Sequence, residues 1–297
     1  MSASASHACF DLHIHTYWSY DATAPPEAYF EAARRLGLRC IAITEHHVLD
    51  SLDEVLAIAQ GYPEIRAIPA AELTVTTSLG TFDLCCYGFP REFPEELRQV
   101  LRAYHRWQQA YGAARTAGLN ALGCDHTDAH RVELLESYRP PKTIAMQGHT
   151  HVRNGVLRRY LVERGFIDKE EDYGELLRQA GKRVPFPSYP DVNDVVPAVK
   201  ASGALVSIAH PHGYFHEYDE ARMDAICKEC QLDGIECAHK SVPPEFSARY
   251  RDYCVRRGLL STAGSDVHDE ADIDTVFARH IGAEEWLDEL LDRLDRR

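Results

Sequence analysis

Five short apolar runs, each ending in a residue type that can bind a metal, constrain this chain more than any other feature. Residues 9–12 lead into His13-Ile14-His15, 40–44 into Glu45-His46 and 65–71 into Glu72. Residues 204–209 lead into His210-Pro211-His212, and 259–264 into Ser265-Asp266-Val267-His268. Runs this short and apolar, separated by stretches of helical pattern, read as parallel strands buried on both faces. In barrel-like α/β folds the chemistry gathers at the carboxyl ends of such strands. One rim would then receive imidazoles and carboxylates from five strands, a set suited to a cluster of divalent metals.

The segments between these runs support the alternation. Thr23 as cap, Pro25-Pro26 at the entry and Gly37 at the exit bracket a helix with Phe30, Ala33 and Leu36 on one face. Asp50 or Ser51 opens a second helix that runs to about Gln60. Residues 73–77 and 81–87, split by Ser78-Leu79-Gly80, read as a hairpin. From residue 91 to 183 the strand signal vanishes: 95–117, 154–164 and 173–180 are helical patterns, with the polar, histidine-bearing stretch 123–151 between them. We expect 91–183 to be a mostly helical insertion covering the active site of an α/β domain built from 1–90 and 184–297. After Pro190 the alternation resumes, with strands at 204–209, 234–237 and 259–262 and a closing amphipathic helix at 284–294.

Composition narrows the partners. A chain of 297 residues, 45% hydrophobic, can bury a sizeable core. Its apolar stretches are too short to span a bilayer, and residues 1–7, small and polar, read as a frayed tail rather than a signal peptide. Nine cysteines without framework spacing point to free thiols in the cytoplasm, and Cys227-x-x-Cys230, within a helical pattern, to buried thiols rather than half a zinc site. The net charge of −14 and the lack of a basic run argue against a nucleic-acid or membrane partner. A small phosphorylated substrate held by metals suits this balance better than a long polyanion.

A lone His-x-His pair carries little weight; its company gives it meaning. Asp21 follows eight residues after His13, His46 and Glu72 close the next two runs, and Asp266-x-His268 closes a late one. Carboxylates with imidazoles and no thiolate favour Mn²⁺, Fe²⁺ or Zn²⁺, with Mg²⁺ possible, in a hydrolytic site over a structural zinc. Glu72, read as the one carboxylate at the end of its strand, is the natural bridge between two ions.

Asp11-Leu12-His13-Ile14-His15-Thr16, Ser19-x-Asp21, Ile43-Thr44-Glu45-His46, Glu72, Ala209-His210-Pro211 and Gly264-Ser265-Asp266-Val267-His268 together resemble the motifs of the PHP (polymerase and histidinol phosphatase) superfamily. Within it the insertion resembles the nucleotide and cyclic-phosphate phosphatases, where an Arg-x-His motif holds phosphate; here His149-Thr150-His151 stands at that place. The resemblance implies a distorted (β/α)7 barrel with two or three divalent ions. It implies His13, His15, Glu72 and Asp266 for the first ion and Asp21, His46 and His268 for the third. The second would share Glu72 and take His210 and a hairpin ligand, where Asp83 replaces a histidine that many members carry. Glu45 likewise replaces a more usual aspartate.

The expected activity is a metal-dependent phosphoesterase that hydrolyses a nucleotide or other phosphomonoester with a hydroxide held between metals. Glu72, His210 and His151 are the expected catalytic residues, and His149, His151, Arg153 and His212 the substrate contacts. Glu236 is expected behind the ligands or facing substrate, Tyr17 and Trp18 as pocket walls, and His126 and His130 as solvated loop residues. An amidohydrolase-type metal hydrolase is the closest alternative, although no lysine precedes Lys142 to supply a carboxylated bridge in the early strands. A non-catalytic, metal-stabilised binding module of the same fold is the other.

Overall fold

The structure, a computed structural model, describes residues 8–297; the expected frayed tail, 1–7, lies outside them. Among the described residues seven strands form one sheet in chain order: β1 (Phe10–Ile14), β2 (Cys40–His46), β3 (Arg66–Thr77), β4 (Gly80–Tyr87), β5 (Leu205–Ile208), β6 (Gly234–Ala238) and β7 (Leu260–Ala263). Every neighbouring pair is parallel except those of β4, which runs against both β3 and β5. The sheet curls until its ends meet. Ile14 bridges Val267, the amide of His15 donates to the Val267 carbonyl at 2.9 Å, and that of Asp266 to the His13 carbonyl at 2.7 Å. This is the distorted (β/α)7 barrel expected from the sequence, and the reversed strand β4 is its distortion.

Burial follows from this layout. Strands β1, β5, β6 and β7 are buried at every residue, as strands with side chains both inside a barrel and under helices must be. The helix Pro26–Leu36 ends at Gly37, whose φ of 74° is one a glycine adopts without strain. It starts from Pro25 rather than from Thr23, because the Thr23 hydroxyl donates to Asp269 instead.

One strand boundary differs from the reading above. Residues 65–71 and 73–77 belong to one long strand, β3, so Glu72 lies in its middle and not at its end. It still reaches the rim, because β2 stops at the paired position, His46 opposite Glu72, while β3 continues outward to pair with β4.

The long helix Glu95–Ala121 joins two cores. Leu97, Val100 and Tyr104 pack into the barrel core. Leu119, further along, belongs to a separate cluster with Leu135, Leu157, Leu161 and Ala180. The stretch 123–151, read as polar loop, contains two helices, Asp128–Glu136 and Pro141–Gln147. The first buries only Arg131 and Leu135, too little apolar surface to draw a stripe in the sequence. All nine cysteines are free thiols, and among the described residues no helix is long and apolar enough to cross a membrane.

Candidate metal centre

The ends of β1, β2, β5 and β7 and the middle of β3 turn their polar side chains into one space. His13 Nε2 lies 3.2 Å from Glu72 Oε2 and 3.6 Å from Asp266 Oδ1, and His15 Nε2 lies 3.4 and 3.2 Å from the same two oxygens. A second group joins His46 Nε2, His268 Nε2 at 3.3 Å and Asp21 Oδ2 at 3.6 Å. A third sets Glu72 Oε1 3.1 Å from His210 Nε2, with Asp83 Oδ2 3.9 Å from that nitrogen. Glu72 touches all three groups, since His46 Nδ1 is also 3.1 Å from its Oε2.

The backbone bends to achieve this. His47, His210 and Asp266 occupy left-handed conformations, with φ of 67°, 31° and 54°. Non-glycine residues adopt such angles at a cost, and they collect where a site demands them.

Hydrogen bonds behind the ligands fix which nitrogen of each ring is free. His13 Nδ1 bonds Glu236 at 2.9 Å, and the other Glu236 oxygen accepts from the His210 amide at 2.7 Å. His15 Nδ1 meets the Ser19 hydroxyl at 3.2 Å, and Ser19 in turn donates to Glu45 at 2.7 Å. His268 Nδ1 donates to the Asp266 carbonyl at 3.1 Å. In each ring the outer nitrogen is thereby left as a lone pair facing the cluster, as metal-binding imidazoles require. Glu45 is thus a buttress, accepting also from the Thr16 amide and hydroxyl. Asp11 plays a similar part, accepting from the amides of Ser265 and Ala278 to tie β1 to the loop after β7.

The donor set fits divalent cations on two observations. First, His13 Nε2, His15 Nε2, His46 Nδ1, Asp21 Oδ1 and Glu72 Oε2 are buried and have no hydrogen-bond partner. An unsatisfied buried polar group costs about 1–3 kcal/mol, so five gathered in one place call for a shared partner. Second, the space is rich in negative charge. Burial alone would lower the pKa of His210, yet its bond to Glu72 and the charges of Glu72, Glu236 and Asp83 push it up to about 9. Burial also opposes charging His13, but Cys85 and the carboxylates of Glu72, Glu236 and Asp266 more than offset it and raise it well above the imidazole range. Protons drawn onto ligand nitrogens in this way are what bound cations displace.

The PHP domain family matches residues 11–185, more than half of the chain. The chain belongs to the PHP domain family. A segment of 80 residues, 27% of the chain, is 39% identical to a phosphoribosyl 1,2-cyclic phosphate 1,2-diphosphodiesterase of Eggerthella lenta, of which the match spans only 29%. Among solved structures, an inferred metal-dependent phosphoesterase of Bifidobacterium adolescentis shares the fold with a TM-score of 0.72 at 22% identity, over 96% of both chains. An amidohydrolase of Chromobacterium violaceum, solved with bound sulfate and no metal, does so with a TM-score of 0.71 at 20% identity, over 96% of this chain and 97% of that one.

In this PHP domain the residues expected to contact substrate are dispersed. His149 is exposed, and His151 is buried behind Tyr20, whose ring centroid lies 3.8 Å from its own and 5.5 Å from that of His46. His212 packs on Phe246 at 4.5 Å. Arg153 does adjoin the ligands. It grips Asp269 with two bonds of 2.7 and 2.9 Å and lines a cleft of about 200 Å³ with Tyr20, Asp21 and His268. Tyr17 and Trp18 donate to Glu54, which Lys142 also binds, so their polar atoms are committed to an outer network. His126 is buried rather than solvated, and His130 closes a capping box with Thr127. Asp83 reaches the third group while accepting from the hydroxyls of Thr74 and Tyr214.

One site residue escaped the sequence reading. His239, directly after β6, is buried with its Nε2 3.3 Å from Asp266 Oδ2. Its signal was the one used for the others, an apolar strand ending in a histidine.

Proposed function

We propose that this PHP domain is a metal-dependent phosphoesterase that hydrolyses a small phosphorylated molecule, a nucleotide or another phosphate ester. The observation that carries the reading is the convergence of unpartnered, buried nitrogens and oxygens around Glu72. His13, His15, Glu72 and Asp266 would hold one ion, Asp21, His46 and His268 another, and Glu72, Asp83 and His210 a third. Mn²⁺, Fe²⁺ or Zn²⁺ suit these donors, and Mg²⁺ remains open to the same ligands. Such ions supply Lewis acidity toward phosphoryl oxygens and a water acidic enough to act as nucleophile at neutral pH.

The protein's own part is positioning. Glu72 offers one oxygen to the His13–His15 side and the other to His210, so it is the residue that would serve the ions on both sides. Glu236 and the Ser19–Glu45 pair hold the imidazoles in the ligating tautomer. With its Nε2 on Glu72, His210 is assigned as a ligand rather than a free acid. Residues 91–183 form the cover that selects the leaving group, and Arg153 brings positive charge to the cleft beside Asp21 and His268. The name of the Eggerthella lenta relative extends the candidate substrates to cyclic phosphates. The free thiols accord with a cytoplasmic setting.

A panel of nucleotides, sugar phosphates, cyclic phosphates and amides, assayed with Mn²⁺-loaded protein, tests the reading. Phosphate or ring-opened ester released from at least one phosphorylated compound is expected. Hydrolysis confined to amides would reassign the chain to amidohydrolase chemistry, and no turnover of any compound would leave a binding module.

A further inference from the structure

His149 is exposed, His151 lies behind Tyr20, and Arg153 is bonded to Asp269 beside the second group, so none of these three presents an unpaired donor to the first and third groups of ligands. The barrel itself does. His239 is buried with 3% of its side chain accessible, and its ring centroid stands 5.2 Å from that of His210 and 5.8 Å from that of His13. It thus sits beside the space where the first and third groups of ligands meet.

Its protonation pattern follows from the backbone. The Ser241 amide donates to His239 Nδ1 at 3.0 Å, and the Ser241 hydroxyl lies 2.8 Å from the same atom. An amide hydrogen can only be met by a lone pair, so the proton of the neutral ring must sit on Nε2. A protonated nitrogen cannot ligate a metal, which separates His239 from the five imidazoles whose outer nitrogens are lone pairs or face Glu72. The N–H at Nε2 has no hydrogen-bond partner. The nearest acceptor, Asp266 Oδ2, lies at 3.3 Å outside hydrogen-bonding geometry and is already paired with Lys240 Nζ at 3.0 Å. A buried, oriented donor left unpaired beside a cationic centre is a donor reserved for an anionic ligand.

We propose that His239 Nε2–H, with Lys240 beside it, is the phosphate-contact donor of this site, supplied by the loop after β6 rather than by the helical insertion. The inference rests on the phosphoesterase reading above. It makes His239 a substrate-contact residue and Lys240 the positioning residue that keeps Asp266 Oδ2 from capturing the donor.

The test measures two quantities on Mn²⁺-loaded protein: bound manganese by elemental analysis, and the dissociation constant of inorganic phosphate by calorimetry. Three variants are compared with the parent. His239→Gln keeps an amide N–H close to the Nε2 position, His239→Asn keeps one only at the Nδ1 position, and His239→Ala keeps none. The expected result is unchanged manganese throughout, phosphate binding weakened roughly ten- to a hundredfold in His239→Ala and His239→Asn, and largely restored in His239→Gln. Should His239→Ala fail to fold, the Gln and Asn pair still decides the matter. Manganese lost in every variant would make His239 a ligand and overturn the proposal, as would phosphate affinity indifferent to all three changes. If the loaded parent itself neither binds phosphate nor hydrolyses any ester, the phosphoesterase reading falls and this inference with it. If the parent does both and the three variants bind phosphate as tightly as the parent, this inference alone falls.

Discussion

A Cβ added at Gly264 would stand 2.2 Å from the Cβ of His13 and 2.6 Å from its backbone nitrogen, distances that atoms do not tolerate. The smallest residue is therefore needed where the loop after β7 crosses the His-x-His pair. Gly264→Ala should shift β1 enough to misaim both imidazoles, with bound metal reduced by at least one equivalent and turnover lowered on the order of a hundredfold. Elemental analysis and steady-state rates check this; full metal and full rate would show that the pair is not held by this contact. Glu72→Gln keeps the shape but removes the charge that faces three groups of donors. Turnover should fall by several orders of magnitude and metal content should drop, and a fully loaded variant of near-normal rate would rule out Glu72 as the shared ligand. Most of these residues were legible as strand-end ligand types. His239 carries the same signal, a histidine directly after the apolar strand β6. The left-handed backbone at His47, His210 and Asp266 was not legible, because nothing in an ordinary non-glycine residue announces a positive φ.

At the scale of elements, the strands were readable because each is short, apolar and buried on both faces. The β3 boundary was not, since Glu72 interrupts an apolar run that the backbone carries straight through. The helices at Asp128–Glu136 and Pro141–Gln147 were hidden because they bury few apolar side chains. Packing of this insertion carries a titration of its own. Burial, then the charges of His130, Arg115 and Arg131, lower His126 to about 4. An unfolded chain takes up this proton near 6.5 and the folded one only near 4, so the contribution is complete above about 6.5 and is lost as the pH falls through about 4. His126→Phe should therefore flatten the loss of stability between pH 7 and pH 4 in denaturant titrations. A variant as acid-sensitive as the parent over that range would show that His126 is not the group responsible.

For the whole molecule, the barrel gathers donors from six strands spread along the sequence, and without a cation their buried atoms are a standing penalty on the fold. Metal that binds only the folded chain stabilises it by mass action, about 2.7 kcal/mol per site at a hundredfold excess over its dissociation constant. Chelation should lower the melting temperature by roughly 5 °C or more, and readdition of Mn²⁺ should restore it. The central claim, that these donors hold ions which hydrolyse phosphate esters, is tested most directly by titrating the chelator-stripped protein with Mn²⁺ while following phosphate released from a turned-over ester. The account predicts no release from the stripped chain and a rise that saturates only after two or more equivalents are bound. Release that is full without metal, or absent with every site filled, would contradict it.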